Sequence, residues 1–327
     1  MNLNLPSRAC PVCGGARALP RWEKGELRLV TCRDCGMVFA NPAPAGMASG
    51  AFYDAAGNDY YLSPAKLESD YADVRFQREL RLFREFCPRG AVLDVGCSSG
   101  AFLFQLNKRW PGDYRIRGTD VSGPPLDYAE SRGVPVTRGD FLNLDFALPI
   151  GVPASGPARG CASAAVAGPE AGAPFDAVTF WAVLEHLDQP ALFLAKAAEV
   201  LKPDGLCFVL VPNLRSLAFH LLGARYRYVY PQHLNYFTAQ TLAGLCAPHF
   251  QIVATRYSHF NPVIIWQDWR RGGREVPNAE RAQLLKSTTA LKQKPWLAPA
   301  KWCYALAEKT LGAMGLADNL VFALRRK

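Results

Sequence analysis

Apolar and polar residues alternate along the chain in blocks whose spacing predicts strands and helices in turn. From Ala91 the apolar run AVLDV is followed by AFLFQLNKR, which has helical spacing, and the same change recurs as far as the strand-like LCFVLVP. Strands that alternate with helices are joined by right-handed crossovers and form a mostly parallel sheet covered on both faces. The pattern therefore predicts a doubly wound α/β domain.

Segments that depart from this pattern divide the chain. From about Tyr60 to Phe86 apolar residues recur at roughly helical spacing, which predicts one linking helix. Residues 147–174 mix Ala, Gly and Pro without a period, which predicts a flexible surface insertion. We expect four regions: a small N-terminal module over 1–41, a linker and capping helix over 42–88, the α/β domain over 89–259, and a helical cap with the final strand over 260–327.

Composition narrows the class of protein. Half of the residues are hydrophobic, which is enough for a buried core, and we see neither an apolar stretch of spanning length nor a leader-like N-terminus. We therefore expect a soluble cytoplasmic protein. The net charge is +9, and residues 256–327 hold thirteen Lys and Arg against five Asp and Glu. Such a basic segment attracts nucleic acid, an anionic membrane or a phosphorylated small molecule, or is merely a solvated helix face.

Two short cysteine motifs near the N-terminus indicate a metal site. CPVCG begins at Cys10 and CRDCG at Cys32, with eighteen residues between Cys13 and Cys32. This spacing is typical of four-thiolate zinc sites, which are tetrahedral and structural. We predict a zinc ribbon with Cys10, Cys13, Cys32 and Cys35 as ligands; redox-active pairs and unmetallated thiols are the alternatives.

A glycine-rich turn follows the first strand of the α/β domain. In LDVGCSSGAF the strand ends at Asp94, the chain turns through Gly96, Cys97 and Ser98, and a helix begins near Gly100. Free N–H groups at a helix N-terminus suit an anionic ligand group. The residues fit neither the dinucleotide pattern G-x-G-x-x-G nor the phosphate loop. They instead resemble motif I of the class I S-adenosylmethionine (SAM)-dependent methyltransferases, with Ser98 at the middle glycine.

The resemblance implies further cofactor contacts at the ends of the following strands. Asp120 ends the second strand, where a carboxylate accepts hydrogen bonds from ribose hydroxyls. Asp140 follows the third strand and is placed to accept from the adenine amino group, beside the ring of Phe141. Trp181 lies at the cofactor-facing turn after the fourth strand. The expected fold is a seven-stranded Rossmann-like sheet with a helical insertion before its last strand.

Other segments extend the resemblance over nearly the whole chain. The cysteine module, YYLSPAKLESDY, PQHLNYFT and GLADNLVFALRRK are similar to zinc-ribbon methyltransferases related to those acting on nucleotide-linked deoxysugars. That resemblance implies C- or O-methylation of a small-molecule acceptor, such as a sugar nucleotide or a glycosylated metabolite. It leaves the acceptor atom and the oligomeric state open.

Histidines are the natural bases for deprotonating such an acceptor near neutral pH. His186 in LEHL and His233 in YPQHLNYF both follow strands and should face the ligand crevice, although structural hydrogen bonds are the alternative role. Nearby tyrosines either line an acceptor pocket or belong to the core. Arg225 and Arg227 are expected to pair with a diphosphate.

Two other functions compete with small-molecule methylation. A zinc ribbon joined to this fold also occurs in ribosomal-RNA methyltransferases, but residues 1–41 have no dense basic cluster, so nucleic acid is not favoured. A non-catalytic scaffold with the same fold is the second. The tryptophans of the C-terminal region, Trp266, Trp269, Trp296 and Trp302, suit a lipid surface, but we expect them to pack over the acceptor site, with no peripheral membrane contact.

Overall fold

The computed structural model describes residues 7–44, 52–54, 60–146, 175–293 and 298–327. The predicted insertion over residues 147–174 therefore lies outside the described residues, as does Trp296. The described chain forms two sheets. Its strands are β1 Ala18–Lys24, β2 Leu27–Cys32, β3 Val38–Ala40, β4 Gly90–Val95, β5 Tyr114–Asp120, β6 Val136–Arg138, β7 Phe175–Trp181, β8 Leu201–Pro212, β9 Asn235–Tyr236, β10 Phe250–Ser258 and β11 Asn319–Arg326.

The larger sheet has seven strands in the order β10-β11-β8-β7-β4-β5-β6. Strands β4 to β8 pair in parallel, whereas β11 is antiparallel to both β8 and β10. The order reverses between β4 and β7, so the carboxyl ends of these two strands flank the switch point at which such sheets bind ligands. The prediction of a seven-stranded, mostly parallel Rossmann-like sheet is confirmed.

Helices cover both faces of this sheet. On one face Phe83, Phe102 and Ala129 join the core, and on the other Leu194 and Leu242 do so. The helices are α1 Pro64–Asp70, α2 Gln77–Phe86, α3 Ala101–Arg109, α4 Gly123–Ser131, α5 Pro190–Val200, α6 Leu217–Leu222, α7 Ala239–Cys246, α8 Pro262–Arg271, α9 Asn278–Gln293 and α10 Ala298–Ala313. None of the helices in the described ranges is long and apolar enough to cross a bilayer.

Two local predictions need correction. The linking helix predicted over Tyr60–Phe86 is divided into α1 and α2, because Phe76 adopts a left-handed conformation with φ 56° just before α2 begins. A helix cannot continue through such a residue. The residues KPDG at 202–205 are typical of a turn, but they lie within β8, where Asp204 has φ 59° and the pairing with β7 shifts register. The local sequence gives no signal for the irregularity at Phe76, whereas Asp204 stands between Pro203 and Gly205, a combination typical of turns.

The N-terminal module is built into the rest of the chain. Its antiparallel strands β1, β2 and β3 are completed by β9, which pairs Val38 with Tyr236 and Phe39 with Asn235. Leu27 and Leu29 share a buried cluster with Phe219 and other residues that follow the large sheet. The module predicted over residues 1–41 therefore has neither its own complete sheet nor its own core.

The helical cap predicted between the last two strands is present as α8, α9 and α10. The expected packing of its tryptophans is not. Trp266, Trp269 and Trp302 are 54%, 63% and 68% exposed, so they do not pack over an internal site. The buried side of α8 is formed by Ile264, Ile265 and Asp268, which the sequence pattern did not single out.

Candidate active site

The turn between β4 and α3 is held in a conformation that depends on its glycines. Gly96 and Gly100 have φ of 71° and 72°. A Cβ on Gly96 would lie 2.7 Å from a methyl carbon of Val183, and one on Gly100 would lie 2.9 Å from Cβ of Ala129. Side chains at these positions would thus both strain the backbone and clash. Ser98, which stands where motif I has its middle glycine, has φ 49°, so the turn keeps the glycine-like conformation with a serine.

Asp94 is predicted to bind the cofactor, and the structure places it at the base of this turn. Its carboxylate is 2% exposed and accepts a hydrogen bond of 2.6 Å from Oγ1 of Thr179 on β7. Burial raises the pKa of Asp94 to about 7, although the bond from Thr179 opposes the shift. Asp94 therefore ties the two switch-point strands together.

Asp120 ends β5 beside the same turn. Its carboxylate oxygens accept hydrogen bonds from the backbone N–H groups of Ser98, at 2.9 Å, and Ser122, at 3.0 Å. Burial raises the pKa of Asp120, and these backbone bonds oppose the shift. Asp120, the residue predicted to bind the ribose, thus lies next to the predicted motif I residues.

Asp140, Phe141, Cys97 and Trp181 were also predicted to contact the cofactor. Asp140 is exposed and caps the turn that follows it, accepting from the backbone N–H of Leu142 at 3.1 Å. Phe141 is 2% exposed and packs within the core, so it offers no open ring face. Cys97 is 7% exposed, and its sulfur packs against Gly118. A Cβ on Gly118 would lie only 2.5 Å from that sulfur. The Trp181 indole packs on Phe102, and its Nε1 is buried without a hydrogen-bond acceptor.

The two predicted histidines come together, His186 in the turn after β7 and His233 just before β9. The ring centroids of His186 and His233 are 4.7 Å apart with their planes at 77°. Nδ1 of His186 lies 2.9 Å from the carbonyl oxygen of Gln232. A carbonyl only accepts, so Nδ1 carries the proton and Nε2 of His186 presents a lone pair. Burial lowers the pKa of His186 to about 4, which keeps the ring neutral at pH 7.

His233 is 3% exposed and lies among aromatic rings. Its ring centroid is 4.3 Å from that of Tyr230, and it stacks on Tyr228 at 5.9 Å. Nδ1 of His233 is buried without a hydrogen-bond partner. Burial holds the pKa of His233 well below its usual range. The positive charges of a protonated His186 and of Arg281 lower this pKa further. This imidazole is therefore neutral, with a free nitrogen.

Glu185 joins this cluster, and the sequence prediction missed it. The residue is 1% exposed, and neither carboxylate oxygen has a hydrogen-bond partner. Oε1 of Glu185 lies 3.9 Å from Nε2 of His186. One oxygen of Glu185 and one ring nitrogen each of His186 and His233 all lie within 4.8 Å of one another. Burial raises the pKa of Glu185 to about 8, so the carboxyl is mainly protonated at pH 7. The signal was present in the sequence, since Glu185 directly precedes His186. We call Glu185, His186 and His233 the histidine pocket.

A family model described as a methyltransferase domain matches residues 69–249, which is more than half of the chain. The chain belongs to this methyltransferase family. The fold and the family agree, so the predicted class I methyltransferase fold is confirmed. The matched range contains both the glycine turn and the histidine pocket.

Relatives of this methyltransferase point to the same class. A ubiquinone biosynthesis O-methyltransferase from Burkholderia multivorans is 32% identical over 138 residues, which are 41% of this chain and 50% of that protein. One from a Chelativorans species is 27% identical over 137 residues, covering 41% and 46%. The methyltransferase thus spans about half the length of these curated relatives. None of them is named as a sugar-nucleotide enzyme.

Solved structures share the fold. A SAM-dependent methyltransferase from Thermotoga maritima, described as a possible histamine N-methyltransferase, superposes with a TM-score of 0.51 at 15% identity. The superposition covers 84% of this chain and 98% of that one. At this identity the likeness concerns the fold alone.

The four predicted metal ligands of the methyltransferase converge at one point. Sγ atoms of Cys10 and Cys35 are 3.5 Å apart, those of Cys13 and Cys32 are 3.6 Å apart, and all four lie within 4.8 Å of one another. Four sulfurs placed about 2.3 Å from a tetrahedral zinc ion would be separated by about 3.8 Å. The donor set and its spacing fit zinc.

Arg227, one of the two predicted diphosphate ligands, does not face the site. Its guanidinium is buried and pairs with Asp268 on α8 at 2.7 Å, and its backbone N–H donates to the same carboxylate at 2.8 Å. Arg281 on α9 lies there instead, with its guanidinium carbon 4.3 Å from the ring centroid of Tyr230. Nε of Arg281 is buried without a hydrogen-bond acceptor. Nothing in the local sequence around Arg281 marks it.

Proposed function

We propose that this methyltransferase methylates a hydroxyl or acidic carbon of a small anionic acceptor held in the histidine pocket. The observation that carries this proposal is the unpartnered Nδ1 of the neutral, buried His233. A buried polar atom without a partner costs about 1–3 kcal/mol, and a bound acceptor that donates to it would remove that cost. The side chain of His186 is 16% exposed, which leaves the pocket an opening.

The cofactor cradle in this proposal is the glycine turn together with Asp120. Bound SAM supplies an electrophilic methyl group on a sulfonium. Asp120 would accept from the ribose hydroxyls, and the backbone of Gly96–Gly100 would lie along the amino-acid part. Asp140 would accept from the adenine amino group at the exposed end of the crevice, and Trp181 would donate its free Nε1–H to the ligand.

The chain's own part in the chemistry is positioning and proton transfer. His233 Nδ1 takes up the proton that the acceptor loses, and Nε2 of His186 is the second lone pair nearby. Protonated Glu185 donates a hydrogen bond and adds no negative charge beside the nucleophile. The aromatic rings around His233 exclude water, which favours attack on the methyl group over side reactions.

Arg281 indicates the charge of the acceptor. Its guanidinium lies over the ring of Tyr230, and its Nη2 donates to the carbonyl oxygen of Arg227 at 2.9 Å. The buried Nε has no partner, and a phosphate or carboxylate would complete it. A sugar nucleotide carries such phosphates, so it is the acceptor that we propose. A phenolic acceptor is the second candidate, because curated relatives are ubiquinone biosynthesis O-methyltransferases.

An acceptor panel with methyl-labelled SAM tests the proposal. Turnover of nucleotide sugars that falls in Arg281→Gln supports the anionic acceptor, whereas turnover of uncharged catechols that is unaffected by Arg281→Gln supports the phenolic one. Methylation of ribosomal RNA with a steep salt dependence would contradict both.

We also propose that Cys10, Cys13, Cys32 and Cys35 hold one structural zinc ion. Metal analysis of the purified chain should give one zinc per molecule. Cys13→Ser should abolish it, whereas Cys97→Ser, a buried cysteine of the glycine turn, should leave the zinc content unchanged.

A further inference from the structure

The histidine pocket is assembled from two loops that are distant in sequence. His186 follows β7 and His233 precedes β9, so the separation of their rings depends on what ties these loops together. The backbone N–H of Leu234 donates to the carbonyl of Glu185 at 2.8 Å. The Asn235 side chain adds two bonds from Nδ2, to the carbonyl oxygens of Leu184 at 2.9 Å and Leu187 at 2.7 Å. Asn235 thus spans the three-residue turn that contains Glu185 and His186.

The N-terminal module holds Asn235 from the other side. Oδ1 of Asn235 accepts from Nη2 of Arg8 at 3.3 Å, and the same nitrogen donates to the carbonyl of Asp188 at 2.5 Å. Strand β3 pairs with the backbone at Asn235, and the N–H of Ala40 donates to the carbonyl of Leu234 at 2.8 Å. The contacts join three separate segments: the module, the loop after β7 and the loop before β9.

We propose that Asn235, held by Arg8, is a positioning residue that sets the distance and angle between His186 and His233. This inference rests on the proposed role of those histidines. It gives the N-terminal module a function inside the acceptor site, in place of recognition of a separate partner. Only an amide meets the demands of the position, because Asn235 must donate twice and accept once while 1% exposed.

Asn235→Asp tests the proposal, because it keeps the shape and removes both donors. We expect kcat to fall by about 100-fold, since an error of about 1 Å in a catalytic group has an effect of that size. The KM for SAM should change less than twofold, because Asn235 does not contact the glycine turn. In ¹⁵N spectra of labelled histidine, the signals of His186 and His233 should shift and those of His220 should not.

Asn213→Asp is the matched control. Asn213 is equally buried, and its Nδ2 also donates to two carbonyls, those of Gly315 and Ala317, which belong to neither loop of the histidine pocket. The two variants should lose similar thermal stability, and only Asn235→Asp should move the signals of His186 and His233. Arg8→Gln, a milder change, should reproduce part of the shift if Asn235→Asp does not fold.

The spectra separate this inference from the proposed function. Unchanged signals of His186 and His233 in both Asn235→Asp and Arg8→Gln would overturn the positioning role, whatever the activity. Shifted signals with full activity would overturn it as well, because the histidine geometry would then not govern turnover. Full activity of His233→Ala, by contrast, would overturn the proposed function itself.

A second inference rests on a different observation, the exposed face of α8. Val263 and Trp266 lie on this face at i and i+3, with Arg270 one turn further, and Trp269 flanks it. Val263, Trp266 and Trp269 are 52%, 54% and 63% exposed. Leu221 on α6, which packs against α8, is 62% exposed. Single exposed apolar residues are ordinary, whereas a face with two tryptophans marks an interaction surface.

Charge identifies the partner of this face. Arg270 and Arg274 follow the tryptophans, Arg271 pairs with Glu280 on α9, and the one acid of α8, Asp268, is buried against Arg227. The guanidinium of Arg270 lies 4.9 Å from the ring centroid of Trp266. Tryptophan beside arginine on a helix face is the combination that binds the interface of an anionic bilayer. We infer that α8 docks the enzyme on anionic phospholipid.

Vesicle flotation tests this inference. The full chain should float with phosphatidylglycerol vesicles and not with pure phosphatidylcholine. Trp266→Ala/Trp269→Ala should lower the partition coefficient by about tenfold or more, while Trp302→Ala, on α10, should not. No flotation, or equal flotation of the double variant, would overturn the inference. The inference would also be overturned if vesicles are not bound and the double variant instead abolishes dimerisation or RNA binding.

Discussion

The glycine turn and the histidine pocket lie at the same edge of the sheet, but they differ in how their polar groups are satisfied. Beside the turn, the buried carboxylates of Asp94 and Asp120 accept hydrogen bonds from the protein. In the pocket, Glu185 has no partner on either oxygen and Nδ1 of His233 has none. Buried polar groups are nearly always paired, so in our proposal the unpaired groups of the pocket are the ones that the acceptor completes. The two carboxylates beside the turn are already paired within the protein.

The largest expected effect is in the pocket. His233→Ala should lower kcat by about 100- to 10,000-fold, the range of a lost general base. Calorimetry should show SAM binding within a few-fold of the parent, since His233 is not among the residues that we expect to hold SAM. His220→Ala, at an exposed position on α6, is the control. Normal turnover of His233→Ala would remove the difference in role between the two regions.

Asp120→Ala tests the turn, where we expect a loss of SAM affinity and not a loss of kcat. Loss of the carboxylate removes the expected ribose contact and leaves the N–H groups of Ser98 and Ser122 without their acceptor. Hydrogen bonds to a charged group contribute about 1.5–3 kcal/mol, so the Kd for SAM should rise by roughly 10- to 150-fold. With saturating SAM, kcat should recover. A variant that binds SAM normally would show that the cofactor lies elsewhere.

How far the sequence predicted these regions follows from their connectivity. The glycine turn lies in one continuous stretch, LDVGCSSGAF, and its strand and helix are set by local spacing, so its fold and neighbours were predictable. The two histidines were predicted to face the crevice because each follows a strand. Glu185, Arg281 and Asn235 were missed because their environments are made by segments far apart in the chain. Arg227 was misassigned for the same reason, since its partner Asp268 is 41 residues away.

The pH dependence separates the two regions further. Because the pKa of His186 is lowered to about 4, and that of His233 is lowered as well, activity should not fall between pH 7 and pH 5.5, as it would with an ordinary histidine. Glu185 loses its proton above a pKa of about 8, which would leave a buried, unpaired anion, so kcat/KM should decline there.

Glu185→Gln should remove that alkaline decline while keeping a hydrogen-bond donor. It should also change the pH dependence of stability. The raised pKa means that the folded state favours the protonated carboxyl, so the parent loses stability as the pH rises from the ordinary pKa of a glutamate towards 8, and the variant should not. Activation by Mg²⁺ or Mn²⁺ that disappears in Glu185→Gln would instead assign the three donor groups to cation binding.

The smallest expected effect returns to the glycine turn and concerns Ser98. Its φ of 49° is a conformation that costs a side-chain-bearing residue about 1–2 kcal/mol. Ser98→Gly removes this cost but also increases the freedom of the unfolded chain, which offsets about 0.5–1 kcal/mol. Thermal unfolding should therefore show a gain of about 1 kcal/mol or less, with SAM affinity unchanged or slightly higher. The histidine pocket should be unaffected by this substitution, so kcat should not change. A loss of stability would mean that the Ser98 side chain, and not only the hydrogen bond from its backbone N–H to Asp120, holds the turn.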